Sequence, residues 1–298
     1  MIDDATLRER ARALATHLEP CIGQVYFAPE CHAGYEALGF IGSRGDIDGV
    51  ALPDPVAYFT SRGSLLGQVA PHVVAAAFAV FNPVIVAPCV EAGWNLTDAP
   101  TIFATRRAGA VGQLTRVLGA SPEGIERAAE LLGRAVEPLE VAGRPLYAGL
   151  CSQWDSPADP VTRFFHRGDQ LREYRGDSHT ASWTSAGLDA VEIGLLTELF
   201  LGLPLRSYIR SRAWSDAELD AALARLEARG WVDGDAFTPA GHDAREAIEW
   251  HTDRQMRAAI EALGDDFDEL IATIGPWGDA MRAAGGYLRT PAQLGPQR

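Results

Sequence analysis

The chain contains no lysine; all 26 of its basic residues are arginine. This excludes Schiff-base and pyridoxal chemistry on a side-chain amine, and it excludes the lysine of a P-loop. All-arginine usage also points to a GC-rich bacterial gene. Cysteine is sparse: Cys21, Cys31, Cys89 and Cys151 are scattered, with no Cys-x-x-Cys pair. Zinc ribbons and dithiol redox motifs are therefore excluded, and reduced thiols in a cytoplasmic protein are expected. No apolar run reaches the roughly 20 residues of a membrane span. The longest, residues 73–90, is interrupted by Asn82, Pro83 and Pro88. The N-terminus reads as a charged helix start and not as a signal peptide. A Gly-rich phosphate loop, HExxH and GxSxG are also missing, so no cofactor and no metal are expected. Positive charge is in deficit throughout. Residues 1–150 hold 11 basic against 16 acidic residues and 151–298 hold 15 against 24, which makes the net charge −14. Neither nucleic acid nor an anionic membrane is an expected partner.

What is present is helical periodicity over 298 residues, 47% of them apolar, enough for two domains. Helices are predicted over 5–18, 29–38, 56–67, 71–81, 83–93, 100–118 and 122–139, with a Gly- and Asp-rich loop at 40–54. Residues 146–160, with two prolines and Trp154, read as a linker. Helices follow over 161–174, 178–201, 240–263 and 265–284. The expected division is an N-terminal helical domain, 1–150, a C-terminal domain, 151–290, and a disordered tail, 291–298. Both halves pass a Phe and an Arg before a His that leads an apolar helix, which suggests a pseudo-dimer with a pocket between the halves.

The segment Arg212–His251 has the layout of a winged helix. Ser215 and Glu218 form a capping-box pattern, and Leu219, Leu223 and Leu226 mark one helix face. Gly230 ends that helix, Trp231-Val232 starts a strand, Asp233-Gly234-Asp235 turns, and Pro239 opens the next helix. A recognition helix should be basic. This one holds Asp216, Glu218, Asp220 and Glu227 against Arg225 and Arg229, and the wing tip adds two aspartates. DNA affinity comes largely from Lys and Arg on phosphates, so the shape is that of a regulator and the charge is not.

From Leu188 to Leu263 the chain resembles MarR-type winged-helix regulators. The residues that carry this are Leu226-Glu227-Ala228-Arg229-Gly230-Trp231-Val232 and Phe237-Thr238-Pro239-Ala240-Gly241. Over most of its length it resembles an actinobacterial, winged-helix-derived family without an assigned activity. The matching stretches there are Leu171-Arg172-Glu173-Tyr174-Arg175-Gly176-Asp177-Ser178-His179 and Tyr26-Phe27-Ala28-Pro29-Glu30. The resemblance implies a mainly α fold of two winged-helix-like halves, a pseudo-dimer of MarR-like domains with short β-wings. It implies no chemistry.

Chemistry is sought in the richest polar cluster, His166 to His179. Gly176 is expected to end one helix and Asp177 or Ser178 to cap the next, with His179 in its first turn. A helix N-terminus disfavours the imidazolium, which would suit His179 as a base, oriented by Asp177 beside Arg175. The competing readings are that Asp177 is simply an N-cap, and that His166, Asp177 and His179 bind a metal. Arg172, His166, His72, Arg62 and Tyr58 are the expected substrate-binding residues, Tyr58 and Arg62 being one helical turn apart. The expected function is binding of a small, anionic or enolisable molecule by a monomer or homodimer. Cofactor-independent isomerase, cyclase or lyase chemistry of secondary metabolism is the favoured extension. A ligand-responsive regulator and a non-catalytic sequestering protein are the alternatives.

Overall fold

The computed structural model describes residues 2–294. Its N-terminal half runs α1 (Asp4–Ile22), α2 (Pro29–Ala37), β1 (Ser43–Ile47), β2 (Val50–Pro53), α3 (Pro55–Gly63), α4 (Pro71–Phe78), α5 (Pro83–Trp94), α6 (Ala99–Leu118), α7 (Ile125–Val136) and α8 (Pro145–Ser152). There follow α9 (Pro160–Ser185), α10 (Ala190–Phe200), α11 (Asp216–Ala228), β3 (Val232–Asp233), β4 (Ala236–Phe237), α12 (Pro239–Gln255), α13 (Arg257–Leu263) and α14 (Phe267–Ala283). Many of these helices start by the same device, a capping side chain followed at once by proline. Asp54-Pro55, Asn82-Pro83, Asp159-Pro160 and Thr238-Pro239 each accept from a backbone N–H of the first turn. The proline has no N–H to leave orphaned and its φ is already helical. Asp189 with Glu192, and Ser215 with Glu218, form full capping boxes.

The fold is mainly α and winged-helix-like, with one short antiparallel hairpin in each half. In the wing, Val232 pairs with Phe237 and Asp233 with Ala236. A Cβ on Gly241 would lie 1.9 Å from the Trp231 carbonyl oxygen, so only glycine lets α12 begin this close to the wing. The loop expected at 40–54 is instead the hairpin β1–β2, turned by Asp48 and Gly49, both at positive φ. That two-residue turn matches the twist of the strands.

Three apolar cores hold the chain. The largest runs from Leu7 to Leu288 and draws on α1, α2, α6, α7, α9, α13 and α14. A second lies under the winged helix, from Trp183 to Ile248. A third packs α3, α4 and α5 against α6 and α8. The expected linker takes in most of α8, so the boundary expected at 150/151 falls within a helix. Gly176 does not end a helix: α9 passes through it for 26 residues, and the break falls at Gly187, at φ 72°. Glycine in a helix interior costs only about 1 kcal/mol, which the packing of α9 against α1, α6, α7, α8 and α12 outweighs. The helix expected over 240–263 is divided at Met256 into α12 and α13. Of the tail, 291–294 form a 3-10 turn, and the remainder lies outside the described residues.

Candidate ligand cavity

A cavity of about 910 Å³ opens between α1, α3, α9, the 3-10 turn Tyr208–Arg212 and the segment after α14. Seven arginines line it against three glutamates, an excess of four positive charges, in a chain whose net charge is −14. Its lining among the described residues includes no His, Asp or Cys.

One end is an ion-pair chain on α9. Arg62 grips Glu173 through two bonds, Nε–Oε1 at 3.2 Å and Nη2–Oε2 at 2.8 Å. Arg172 donates to Glu173 at 2.9 Å and to both oxygens of Glu19 at 2.9 and 3.1 Å. Tyr287 closes the chain by donating to Glu19 at 3.0 Å. Burial alone would raise the Glu173 carboxyl, but the pull of Arg62 and Arg172 overrides it and holds the group below its ordinary range. The Tyr26 hydroxyl sits against this chain, accepting from Arg172 at 3.3 Å and donating to Glu173 at 3.4 Å. Burial pushes its pKa up, so it stays a protonated donor.

From Tyr26 an aromatic wall extends. Its ring centroid is 4.9 Å from that of Tyr58, which is 5.7 Å from Phe81. A guanidinium stacks at each end: Arg172 at 5.1 Å from Tyr26, and Arg212 at 4.5 Å from both Phe81 and Tyr208. Arg212 also donates to the Tyr208 hydroxyl, and among the described residues no carboxylate pairs with it. The segment carrying Arg212 is fastened to the N-terminal half. The Asn82 backbone N–H donates to the Arg212 carbonyl at 3.0 Å, Asn82 Nδ2 to Ala213 at 3.1 Å, and the Trp214 indole to Val80 at 3.0 Å.

Of the residues singled out in the sequence, Tyr58, Arg62, Arg172 and Arg175 line this cavity. Arg175 is engaged by Glu249 and by Asp253, the latter at 3.2 Å. Asp177, His179, His166 and His72 are not part of the lining. Asp177 is a cap, though of a distant helix: its Oδ2 accepts from Leu146 and Tyr147 at 3.0 and 3.1 Å, at the start of α8. Burial pushes its pKa up to about 7 against the opposing pull of those N–H groups. His179 lies towards the C-terminal end of α9, so no helix start acts on it. Burial, then Arg245 and Arg175, depress it to about 4, and its Nδ1 lies 3.1 Å from Thr252 Oγ1. His166 is buried, with Nε2 3.0 Å from the Leu150 carbonyl and its ring against Trp154. His72 is exposed on α4. No group of three or more His, Cys, Asp or Glu gathers at metal-binding geometry among the described residues. Sequence reasoning missed Glu19, Phe81, Tyr208, Arg212 and Tyr287, which reach the cavity from well-separated segments and carry no local motif.

The arginines of the recognition-helix position are occupied. Arg225 pairs with Asp189 and with Glu192, the latter at 3.1 Å, and Arg229 donates to the Gly187 carbonyl at 2.6 Å. Capped helix, wing and following helix define a winged-helix protein. The chain belongs to a helix-turn-helix family, whose model matches residues 11–288. No curated protein and no solved structure matches it.

Proposed function

We propose that this protein binds an anionic small molecule with an apolar body in the cavity, and that its winged-helix half serves by supplying the 208–213 segment to the cavity wall and not by reading DNA. The observation that carries the reading is the concentration of seven arginines against three glutamates there, within an acidic chain. Arg12, Arg62, Arg172 and Arg175 are already paired with carboxylates, so Arg212, Arg282 and Arg289 are the least compensated charges, and an anionic guest would neutralise them. The cavity volume, about 910 Å³, is that of a small-molecule site. Binding without turnover, for sensing or sequestration, fits the wall better than acid/base catalysis. A proton-transfer group must reach the substrate, and His179 and Asp177 stand outside the lining.

The test is fluorescence titration with 8-anilinonaphthalene-1-sulfonate and its uncharged relative N-phenyl-1-naphthylamine. One saturable sulfonate site, at least ~10-fold tighter than the neutral probe and weakened by salt, is expected. Failure to saturate, or equal affinity for the two probes, overturns the reading.

A further inference from the structure

The cavity has two chemically different ends joined by a wall of tilted aromatic rings. At one end stands Arg212, stacked on Phe81 and Tyr208, with Nη2 on the Tyr208 hydroxyl and no carboxylate partner among the described residues. Its Nε and Nη1 make no hydrogen bond there, so N–H donors on either side of the guanidinium are available to an incoming anion. The other cavity-lining arginines divide into two groups. Arg12, Arg62, Arg172 and Arg175 are committed to buried or partly buried carboxylates. Arg282 and Arg289 lie at the rim, Arg282 only 3.7 Å from Asp279 and Arg289 exposed.

At the opposite end Tyr26 is held loosely. Its hydrogen bonds, an N–H···O of 3.3 Å from Arg172 and an O–H···O of 3.4 Å to Glu173, are longer than the usual ~2.9–3.0 and ~2.7–2.8 Å of such contacts. Beside it Glu173 is an acceptor kept ionised by two arginines. A hydroxyl on a ligand finds both a donor and an acceptor there. A second anion does not, because Glu173 repels it. Between the two ends, Tyr26, Tyr58 and Phe81 contact one another with their rings tilted by 58° and 51°, so the wall offers both ring faces and ring edges, to which an aromatic guest packs offset or edge to face.

Resting on the cavity reading above, we propose that the ligand is a fused-ring aromatic acid bound in one orientation, its carboxylate on Arg212 and a phenolic hydroxyl at its far end against Tyr26 and Glu173. The ligand then spans from the segment that Asn82 fastens beside Phe81 to Tyr26 and α9.

Three probes read the two ends separately: 2-naphthoate, 6-hydroxy-2-naphthoate and 2-naphthol, titrated against the wild type and against Arg212→Gln, Arg289→Gln and Tyr26→Phe. The wild type is expected to prefer 6-hydroxy-2-naphthoate over 2-naphthoate. Arg212→Gln is expected to weaken both naphthoates at least ~10-fold and to leave 2-naphthol within about 2-fold, with partial recovery in Arg212→Lys. Tyr26→Phe is expected to abolish the preference for the hydroxylated acid without weakening 2-naphthoate. Glu173 is left untouched, because removing one partner of a buried ion pair threatens the fold itself. Equal losses in Arg289→Gln and Arg212→Gln overturn the anchoring by Arg212. A hydroxyl preference that survives Tyr26→Phe overturns the orientation. Wild-type protein that binds the anilinonaphthalene sulfonate but none of the naphthoates overturns this inference and leaves the broader cavity reading standing.

Discussion

At the scale of single residues, His179 shows burial and neighbouring charge, not helix position, deciding a protonation state. It lies beside Arg175 and Arg245, with Glu249 opposing them and Thr252 at its Nδ1. Its pKa is about 4 in the fold against 6.5 for an ordinary histidine. A base with a depressed folded pKa contributes its stability fully above the unfolded value and loses it as pH falls. For His179 that loss runs from pH 6.5 down through about 4. Buried His32 and His166 are shifted the same way. Asp177 works in the opposite sense: a carboxyl pushed up to about 7 favours the fold in acid and loses that contribution as pH rises. The wild-type profile is therefore composite, and a difference profile isolates His179. Replacing it with glutamine keeps a hydrogen-bonding side chain and removes the titration. The melting temperature of the wild type should fall relative to that of His179→Gln as pH drops from about 6.5 towards 4, because only the wild type takes up that proton on unfolding. Parallel curves across that window would show that His179 is not the group that titrates.

At the scale of elements, α9 carries two glycines with opposite meanings. Gly176 is in regular helix, and a Cβ there would meet only a Glu173 carboxylate oxygen at 3.9 Å. Gly168 lies buried where α9 crosses α1, and a Cβ there would stand 2.4 Å from Ile22 Cδ1, in a residue with no exposed surface. Gly176→Ala should raise stability by about 0.5–1 kcal/mol through the entropy of the unfolded chain. Gly168→Ala should lower it by about 1–3 kcal/mol through overpacking. Urea denaturation of both variants checks the pair; a Gly176→Ala protein less stable than wild type would return Gly176 to the role of helix stop. The same helix shows what was legible in the sequence. Arg172 and Arg175 stand out by composition, and Tyr58 and Arg62 by their one-turn spacing, and all four line the cavity. The continuity of α9 was not legible, because Arg-Gly-Asp looks like a stop until α7, α8 and α12 are packed around it. The partners of the arginines were equally hidden: Glu173 is 111 positions from Arg62, and Glu19 is 153 from Arg172. The hairpin at Asp48-Gly49, by contrast, had a local signal, a two-residue turn of the favoured composition.

At the scale of the whole molecule, charge is sorted by location. The cavity holds an excess of four positive charges, so the rest of a chain with net charge −14 carries eighteen net negative ones. A small anion inside the cavity meets arginines at close range, while the outer charges are screened within about 8 Å at physiological salt. DNA cannot enter and meets only the outside. There Arg225 of α11 and Arg229 at its C-cap are held by Asp189, Glu192 and the Gly187 carbonyl. The acids of that helix bind further cations in turn, Asp220 taking Arg206 at 2.6 Å and Asp216 taking Arg210 at 2.8 Å. Freeing an arginine for a phosphate would expose one of these acids to the same nucleic-acid backbone, so every new attraction brings a repulsion with it. Mixed genomic fragments at low salt should therefore give no retardation with protein up to tens of micromolar. A dissociation constant in the micromolar range or tighter, falling steeply as salt is added, would mean that a basic face forms which the closed arrangement does not present. That result would restore regulator to the winged helix and make the cavity its effector site.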